Sequence, residues 1–291
     1  MTDFRFHRPG IVGTGRVAQA LALGFAPHAS ASPLLWGRTA ENSRSAAVGA
    51  VHAATIEHLM AECDVIAIAV SDDALAKLVA DMAARIPADN IPFVFHVSGA
   101  KGAEILEPLR AAGALTAAVH PAMTFTGDPA DEVARMVGAR FAITGSTTDA
   151  TRCAKAIVAV LGGIAVDIPE ERRALYHAAL CHASNHLVTL IAGATAALQD
   201  AGVSDPAALL TPLVRASLEN SLAHGIAGLS GPLLRGDAQT IGGHLDALEA
   251  HSPDLLPAYR AMAKATLDEL NRRETTPSPR LTALDSLLAV P

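Results

Sequence analysis

The sequence contains few aromatic side chains, and this shortage limits what its core and binding surfaces can be. Only 3% of the 291 residues are aromatic although 51% are hydrophobic, so alanine, valine, leucine and isoleucine must build the core. Such a core suits closely packed helices and parallel strands better than a β-sandwich or an aromatic-lined binding face.

Clusters of positive charge are also absent. The chain has 22 lysine and arginine residues against 29 acidic residues, a formal net charge of -7, and its basic residues are scattered. A protein that binds nucleic acid presents a basic face to the phosphates. We therefore predict that nucleic acid is not a partner.

Cysteine and long apolar runs are scarce as well. Cys63, Cys153 and Cys181 lie far apart and lack the paired spacing of metal ligands, as expected in a reducing compartment. The first residues, MTDFRFHRPGIVG, contain no apolar segment ahead of a cleavage site, and no run of roughly 18 apolar residues follows. We expect a cytoplasmic protein that does not bind a membrane.

The first half of the sequence alternates short apolar runs with helical patterns. Examples are GIVG before GTGRVAQALALGF, and CDVIAIAV before SDDALAKLVADM. Strands that are apolar on both faces and separated by helices form a mostly parallel, doubly wound sheet. After Pro169 the pattern is helical only. We predict an α/β fold, with a doubly wound, mostly parallel Rossmann sheet in residues 1–168 and an all-helical domain in residues 169–291.

A glycine-rich turn, GTGRVA at residues 13–18, follows the first predicted strand and fits the G-x-G-x-x-G/A pattern. Gly13 permits the tight turn, Gly15 lets a pyrophosphate approach the backbone, and Ala18 lets the helix pack on the strand. The alternative is a turn that only connects a strand to a helix. The strand before and the helix after favour a dinucleotide site, formed by Gly13, Thr14, Gly15, Arg16 and Val17.

The end of the second predicted strand distinguishes the two nicotinamide dinucleotides. An NAD site has an acidic residue there, about 20 residues after the glycines, but LLWGRTAENS offers Arg38, Thr39 and Ser43. A guanidinium beside hydroxyl groups can hold a ribose phosphate. An exposed surface arginine is the alternative. We predict NADP(H) as the cofactor.

Polar residues follow the fourth, fifth and sixth predicted strands: Ser71 and Asp72, then His96, Ser98 and Gly99, then His120. Ligands of open parallel sheets bind at the carboxyl ends of the strands. We expect Val70 and Ser71 to contact the cofactor, although Ser71 and Asp72 can equally cap a helix. Ser98, Gly99 and His120 are predicted to line a substrate pocket.

Residues 175–190, LYHAALCHASNHLVTL, form an apolar helical pattern that carries several polar side chains. At about 100° per residue they fall into two sets on opposite faces, His177, Cys181, Ser184 and Asn185 on one and His182 and His186 on the other. His182 and His186 have the spacing of a metal pair, but no third ligand accompanies them, so we predict no metal site. A hydrogen-bonded core pair is the alternative to a functional role for His177 and Asn185.

Together these segments resemble a known family. GIVGTGRVA, HVSGA, HPAMTF, LYHAALCHASNHLVTL and LSGPLLRGDAQTIGGHLDAL are similar, in order and across nearly the whole chain, to bacterial Rossmann-like oxidoreductases with a helical C-terminal domain of unknown function. That family is itself similar to 6-phosphogluconate dehydrogenase, ketopantoate reductase and pyrroline-carboxylate reductase. The resemblance implies an NADP-binding domain, a helical domain that supports a homodimer, and an active site between the two.

The resemblance also bears on catalysis. Hydroxyacid dehydrogenases and ketopantoate reductases carry a lysine acid on the long helix, with an asparagine one or two turns later. This chain has no lysine between Lys155 and Lys264. Asn185 matches the asparagine, and His177 stands where the acid would be. We therefore predict His177 as the general acid, Asn185 as its positioning partner, and His120 as the alternative acid.

The predicted activity is NADPH-dependent reduction of a small carbonyl compound, a 2-oxo acid or related carboxylate such as ketopantoate. Ser98 and the Gly99 amide would hold a substrate oxygen, and Ser184 and Arg235 would complete the substrate site. Three alternatives stay open: a non-catalytic NADP sensor whose helical domain binds a protein, an enzyme like prephenate dehydrogenase that couples dehydrogenation to decarboxylation, and an imine reductase.

Overall fold

A computed structural model describes residues 6–87, 91–273 and 279–289. The chain divides into two compact units, Met1–His182 and Ala183–Pro291. The boundary lies inside a long helix, whereas the sequence pattern placed it ahead of that helix, between residues 168 and 169.

The first unit contains an eight-stranded sheet in its described residues. Its strands are β1 (Pro9–Val12), β2 (Leu34–Trp36), β3 (Val51–His52), β4 (Val65–Ile68), β5 (Phe93–His96), β6 (Thr116–Pro121), β7 (Arg140–Gly145) and β8 (Ile164–Asp167). Their order is β3-β2-β1-β4-β5-β6-β7-β8. Neighbouring strands are parallel except β6 and β7, where Ala117 pairs with Gly145 and Pro121 with Phe141 in antiparallel register. The predicted doubly wound, mostly parallel sheet is confirmed.

Helices connect the strands and bury both faces of the sheet. They are α1 (Arg16–Phe25), α2 (Ala40–Ala46), α3 (Ile56–Glu62), α4 (Asp72–Ala83), α5 (Glu107–Ala111), α6 (Pro129–Met136) and α7 (Thr148–Val160), followed by α8 (Arg173–Asp200). Alternate residues of one strand enter different buried clusters. Ile11 packs with Phe25 and Phe95, whereas Val12 packs with Leu59 and other residues of a second cluster. This alternation is the expected result for a strand with two covered faces.

The second unit is helical throughout its described residues, as predicted. After the C-terminal part of α8 it contains α9 (Pro206–His224), α10 (Pro232–Arg235), α11 (Ala238–His251), α12 (Leu256–Asn271) and α13 (Pro279–Leu288). Residues 228–237, which are rich in glycine, include the short helix α10. Pro232 suits the first helical turn because its fixed φ is helical, and Gly236, at φ 73°, ends the helix in the left-handed region.

Two helices expose a long series of apolar side chains. Val188 on α8 is 68% exposed, and Leu213 and Leu222 on α9 are 58% and 79% exposed. Of the residues of α9, only Pro206 and Leu210 are buried. Exposed apolar side chains indicate an interaction site where they form a contiguous surface. No helix in the described part of the chain combines the length and apolar character needed to cross a membrane.

Candidate active site

The glycine-rich turn lies where β1 is flanked by β2 and β4, the point at which the sheet changes its direction of winding. Gly13 has φ 136°, and its amide donates to the carbonyl of Trp36 at 2.8 Å. A Cβ atom at this position would lie 2.1 Å from the carbonyl oxygen of Ala69, so only glycine fits. Open sheets of this type bind their ligands at this switch point.

Gly15 differs from Gly13 because the space beside it is open. It is the N-cap residue of α1, and a Cβ atom built on it would have no neighbour within 4 Å. The first amides of α1 therefore face a space that an anion can enter, which is the geometry of a phosphate site at a helix N-terminus.

A cleft of about 610 Å³ opens beside this turn. Its lining is Gly15, Arg16, Val17, Ala69, Val70, Ser71, Asp72, Val97, Ser98, Gly99, Phe125 and His177. Five of the ten predicted cofactor residues and three of the predicted substrate or catalytic residues therefore share one cavity. Gly13 and Thr14 are not in the lining.

A second cavity of about 620 Å³ lies elsewhere in the first unit. Its walls carry Glu104, Glu107, Asp167 and Glu170 against the single cation Arg110. None of the predicted site residues lines it, and its carboxylates would repel a phosphate. The cleft beside the glycine-rich turn is therefore the better candidate for the site.

Beyond β2, the three predicted phosphate-binding residues differ in accessibility. Arg38 is exposed and makes no hydrogen bond or ion pair with any described residue. Thr39 is the N-cap of α2 and accepts a hydrogen bond from the amide of Asn42. Ser43 is buried, and its hydroxyl donates to the carbonyls of Gly37 and Thr39. Contrary to expectation, Ser43 stabilises the turn that carries Arg38 and does not offer its hydroxyl to solvent.

Ser71 occupies the N-cap position of α4, but its side chain makes no capping hydrogen bond. The hydroxyl lies in the wall of the cleft beside Val70. Of the two roles open to this residue, a contact with a ligand in the cleft agrees better with the geometry than a side-chain cap.

The HVSG turn after β5 is held together by buried hydrogen bonds. His96 donates from Nε2 to the carbonyl of Gly102 at 2.7 Å and accepts at Nδ1 from the amide of Ser98 at 3.1 Å. The Ser98 hydroxyl accepts from the amide of Lys101 at 3.1 Å. His96 therefore shapes the turn, and the Ser98 hydroxyl keeps its proton and one lone pair for a ligand.

His120, Tyr176 and His177 form a cluster beside this turn. The His120 and His177 rings are perpendicular, with centroids 5.9 Å apart, and the Tyr176 hydroxyl lies 2.9 Å from His120 Nδ1. A Cβ atom on Gly99 would lie 2.4 Å from His177 Cδ2 and 3.0 Å from His120 Nε2. Gly99 thus lets both imidazoles approach the backbone. His177 lines the cleft, whereas His120 does not.

Arg173, the first residue of α8, lies under this cluster. It is 1% exposed, and its guanidinium donates to the carbonyls of Lys101, Ala142 and Ser98. The guanidinium carbon is 5.6 Å from the centre of the Tyr176 ring, a cation–π distance. Burial lowers the pKa of Arg173, but a guanidinium remains charged in proteins.

The other predicted residues belong to the second unit. Ser184 is partly buried on α8, and Asn185 and Arg235 are exposed. Their roles stay predictions. The residues that the structure describes contain no group of three or more histidine, cysteine or acidic side chains suited to a metal ion.

Comparison with family models divides the chain earlier than the boundary between the two compact units. A model described as a Rossmann-like domain matches residues 3–121, and one described as a domain of unknown function, DUF2520, matches residues 139–266. Each match covers less than half of the chain. The cleft takes Gly15, Ser71, Ser98 and Gly99 from the Rossmann-like match and His177 from the DUF2520 match.

Solved structures resemble this protein over nearly its full length. A proposed NADP oxidoreductase from Bacteroides fragilis has 20% sequence identity and a TM-score of 0.71, and the match covers 89% of this chain and 97% of that one. A reductive aminase from Aspergillus terreus in complex with NADPH and ethyl levulinate has 19% identity and a TM-score of 0.66, over 97% and 99% of the two chains.

A more distant match is the Plasmodium falciparum pyrroline carboxylate reductase with NADP bound, at 15% identity and a TM-score of 0.60 over 97% of each chain. At these identities the likeness establishes the fold. Comparison with curated proteins gives no match.

Sequence reasoning missed Arg173, Tyr176 and Phe125 as parts of the candidate site. Tyr176 is one of only two tyrosines and precedes a predicted catalytic histidine, so its hydroxyl was a usable signal. Phe125 lines the cleft, and its carbonyl accepts from the Arg16 guanidinium at 3.3 Å. This contact joins distant segments, and no local pattern indicates it.

Acid should destabilise the protein through the buried His96 and the half-buried His120. Burial lowers the pKa of both His96 and His120 to about 4. In the unfolded chain the pKa of an imidazole is about 6.5, so below that pH the unfolded state binds protons that the native state does not. The unfolding free energy is therefore highest above about pH 6.5 and decreases as the pH falls towards about 4. We expect a loss of about 2 to 4 kcal/mol in unfolding free energy between pH 7 and pH 5.

Urea unfolding at a series of pH values measures this loss. His120→Gln should reduce the pH dependence, whereas the control His58→Gln, at an exposed position on α3, should leave it unchanged. An unfolding free energy that stays constant from pH 7 to pH 5 would contradict the neutral state of these imidazoles.

Proposed function

We propose that this protein is an NADPH-dependent reductase of a small carbonyl compound, with a 2-oxo acid or related carboxylate as the favoured substrate. The observation that carries the proposal is the cleft itself, which brings the open Gly15 turn, the Gly99 backbone and the His177 imidazole together. The NADP and NADPH complexes of proteins with the same fold support the choice of cofactor.

Each wall of the cleft has a separate role. The first amides of α1, Arg16 and Ser71 would bind the phosphates, with Arg38 and Thr39 at the ribose phosphate. NADPH, when bound, supplies a hydride. Ser98 and the amide of Gly99 would hold a carbonyl or carboxylate oxygen, because both lie in the wall beside His177.

His177 is the better of the two candidate acids. Burial lowers the pKa of His120 to about 4, so His120 is neutral near pH 7 and lacks the proton that a general acid must give. His177 also faces the cleft directly. In this proposal His177 gives its proton to the substrate oxygen, Asn185 orients the carbonyl group, and Ser184 and Arg235 bind the rest of an anionic substrate.

The direct test is to incubate the protein with NADPH and panels of 2-oxo acids and imines, and to follow the absorbance of the reduced cofactor. Consumption of NADPH with a 2-oxo acid supports the proposal. NADPH binding without consumption by any compound would favour an NADP-sensing protein, and release of carbon dioxide in the oxidative direction would favour an enzyme like prephenate dehydrogenase. Consumption with imines alone would favour an imine reductase, the activity named for several proteins of this fold.

Arg38→Asp should reverse the cofactor preference. The wild-type protein is expected to bind NADPH at least about tenfold more tightly than NADH, because one charge-assisted contact to a phosphate contributes about 1.5 to 3 kcal/mol. The variant loses that contact and gains a carboxylate for the ribose hydroxyls. Fluorescence titration with both cofactors measures the change, and Arg44→Asp, at an exposed position on the following helix α2, is the control. Equal wild-type affinities would exclude the assignment of Arg38.

We also propose a homodimer formed through the helical unit. Exposed apolar side chains on α8 and α9 are stabilised when they are buried in an interface. A two-fold symmetric dimer buries them against the same face of a second copy. Light scattering at micromolar concentration should give twice the chain mass. Leu222→Glu should shift the protein towards the monomer, whereas Val137→Glu, at a 69% exposed position of the first unit, should not. A wild-type monomer would contradict this proposal.

A further inference from the structure

Arg173 is a buried cation with no carboxylate of the described residues in ion-pair contact. Its guanidinium donates from Nη2 to the Ser98 carbonyl at 2.7 Å, from Nε to the Lys101 carbonyl at 3.1 Å and from Nη1 to the Ala142 carbonyl at 3.2 Å. Glu170 offsets part of its charge from beyond ion-pair distance. The carbonyl groups satisfy the donors but do not neutralise the positive charge.

This charge lies directly behind two walls of the cleft. One wall is the backbone of Ser98 and Gly99, whose first carbonyl accepts from Arg173. The other is the histidine cluster, in which the Arg173 guanidinium packs against the Tyr176 ring and the Tyr176 hydroxyl hydrogen-bonds to His120. The field extends to the cluster, because Arg173 is the largest contribution after burial to the lowered pKa of His120.

The other charged groups near the cleft do not cancel this field. Arg16 and Asp72 line the cleft, are exposed to solvent and have opposite signs. Glu170 is half-buried near Arg173 and offsets part of its charge, while its Oε2 accepts from the Ala103 amide at 2.7 Å. Exposed charges are screened by water and salt more strongly than buried ones. Arg173 is the charged side chain with the largest effect on the pKa of His120.

The two substrate classes respond oppositely to such a charge. When a hydride adds to a carbonyl carbon, the C=O π electrons move to oxygen, and the resulting negative charge persists until oxygen takes a proton. When a hydride adds to an iminium carbon, the C=N π electrons become the nitrogen lone pair and a positive charge disappears. A buried cation stabilises the developing oxyanion and raises the energy of a bound iminium.

We propose that Arg173 is a specificity-determining residue that makes this site select carbonyl substrates over iminium substrates. The inference rests on the proposed NADPH-dependent reductase function and narrows its substrate class. Arg173 acts through the field that it places behind Ser98, Gly99 and His120, and it does not touch the substrate. This selection would distinguish the protein from the imine-reducing proteins that share its fold.

Two matched substrate pairs test the inference. The first pair is 2-oxopentanoate and 1-pyrroline-2-carboxylate, which share a five-carbon skeleton and a carboxylate. The second is cyclopentanone and 1-pyrroline, which lack the carboxylate. In the wild-type protein kcat/KM with NADPH should favour the carbonyl member of each pair at least tenfold.

Two variants separate charge from structure. Arg173→Lys keeps the charge and Arg173→Gln removes it, and both lose the three-way set of hydrogen bonds. The carbonyl-to-imine ratio of kcat/KM should be at least tenfold lower in Arg173→Gln than in Arg173→Lys. Thermal unfolding and NADPH titration identify variants that fail to fold, in which case the wild-type ratios alone decide the question.

The outcomes distinguish this inference from the proposed reductase function on which it rests. NADPH consumption with the imines and not with the carbonyls overturns the selection by Arg173 and leaves the reductase function standing. Equal ratios in two folded variants also overturn it. Absence of NADPH binding and of consumption with every compound overturns the reductase function, and the inference with it.

Discussion

His177→Ala is expected to lower the turnover number by about 10² to 10⁴, the usual contribution of a positioned proton donor. The reason is geometric, because His177 is the histidine in the wall of the cleft and lies against the Gly99 backbone. Imidazole is also the side chain that most readily holds and releases a proton near neutral pH. NADPH affinity should stay within a few-fold, because the phosphates bind elsewhere in the cleft.

Steady-state kinetics with the best substrate of the panel measures this effect, and NADPH titration checks the cofactor site. The control is His182→Ala, on the opposite face of the same helix, which should alter stability more than turnover. If His177→Ala keeps nearly full activity while His120→Ala abolishes it, the acid lies on the strand and the proposed role of α8 is wrong.

The two glycines of the cofactor turn should give opposite results when each is changed to alanine. Gly13→Ala is expected to lower the unfolding free energy by about 2 to 4 kcal/mol. The new Cβ would lie 2.1 Å from the Ala69 carbonyl oxygen, and the φ of 136° is unfavourable for any residue with a side chain. Neither the backbone of β1 nor that of β4 can move away without disrupting their pairing.

Gly15→Ala is expected to change the unfolding free energy by less than about 0.5 kcal/mol, because its φ is -75° and no atom lies within 4 Å of the new methyl group. The methyl group would instead occupy the space that a pyrophosphate needs, so NADPH affinity should fall at least tenfold. Urea unfolding and cofactor titration on both variants provide the measurements. Unchanged NADPH affinity in Gly15→Ala would mean that the cofactor does not bind at this turn.

Local patterns in the sequence predicted the sheet and the glycine-rich turn between β1 and α1 well. Two features depend only on neighbours in sequence: the apolar runs of strands that are buried on both faces, and the glycine pattern at residues 13–18. Both can therefore be recognised before the fold is known. Ser43 was misjudged because polarity within a short helix normally indicates exposure, and the carbonyls of Gly37 and Thr39 that hold its hydroxyl become visible only when the turn is built.

The environment of Arg173 could not be predicted for the same physical reason. Its three acceptors come from the turns after β5 and from β7, which are 31 to 75 residues away in sequence. An arginine at the start of a helix is normally solvated. Only the packing of three distant segments excludes water from this one, and local periodicity carries no information about such packing.

The antiparallel pairing of β6 and β7 determines the direction in which the chain travels into α8. Ala117 at the start of β6 pairs with Gly145 at the end of β7, so β7 and the parallel β8 run opposite to the other strands. The end of β8 therefore lies on the same side of the sheet as the start of β6. The chain must then cross back towards the strand ends that carry Ser98. Arg173 marks that crossing, with one donor on Ala142 inside β7 and another on Ser98 beyond β5. Had β7 continued the parallel order, the chain would leave the sheet at the cleft edge, and α8 would travel away from the cleft before His177 was reached.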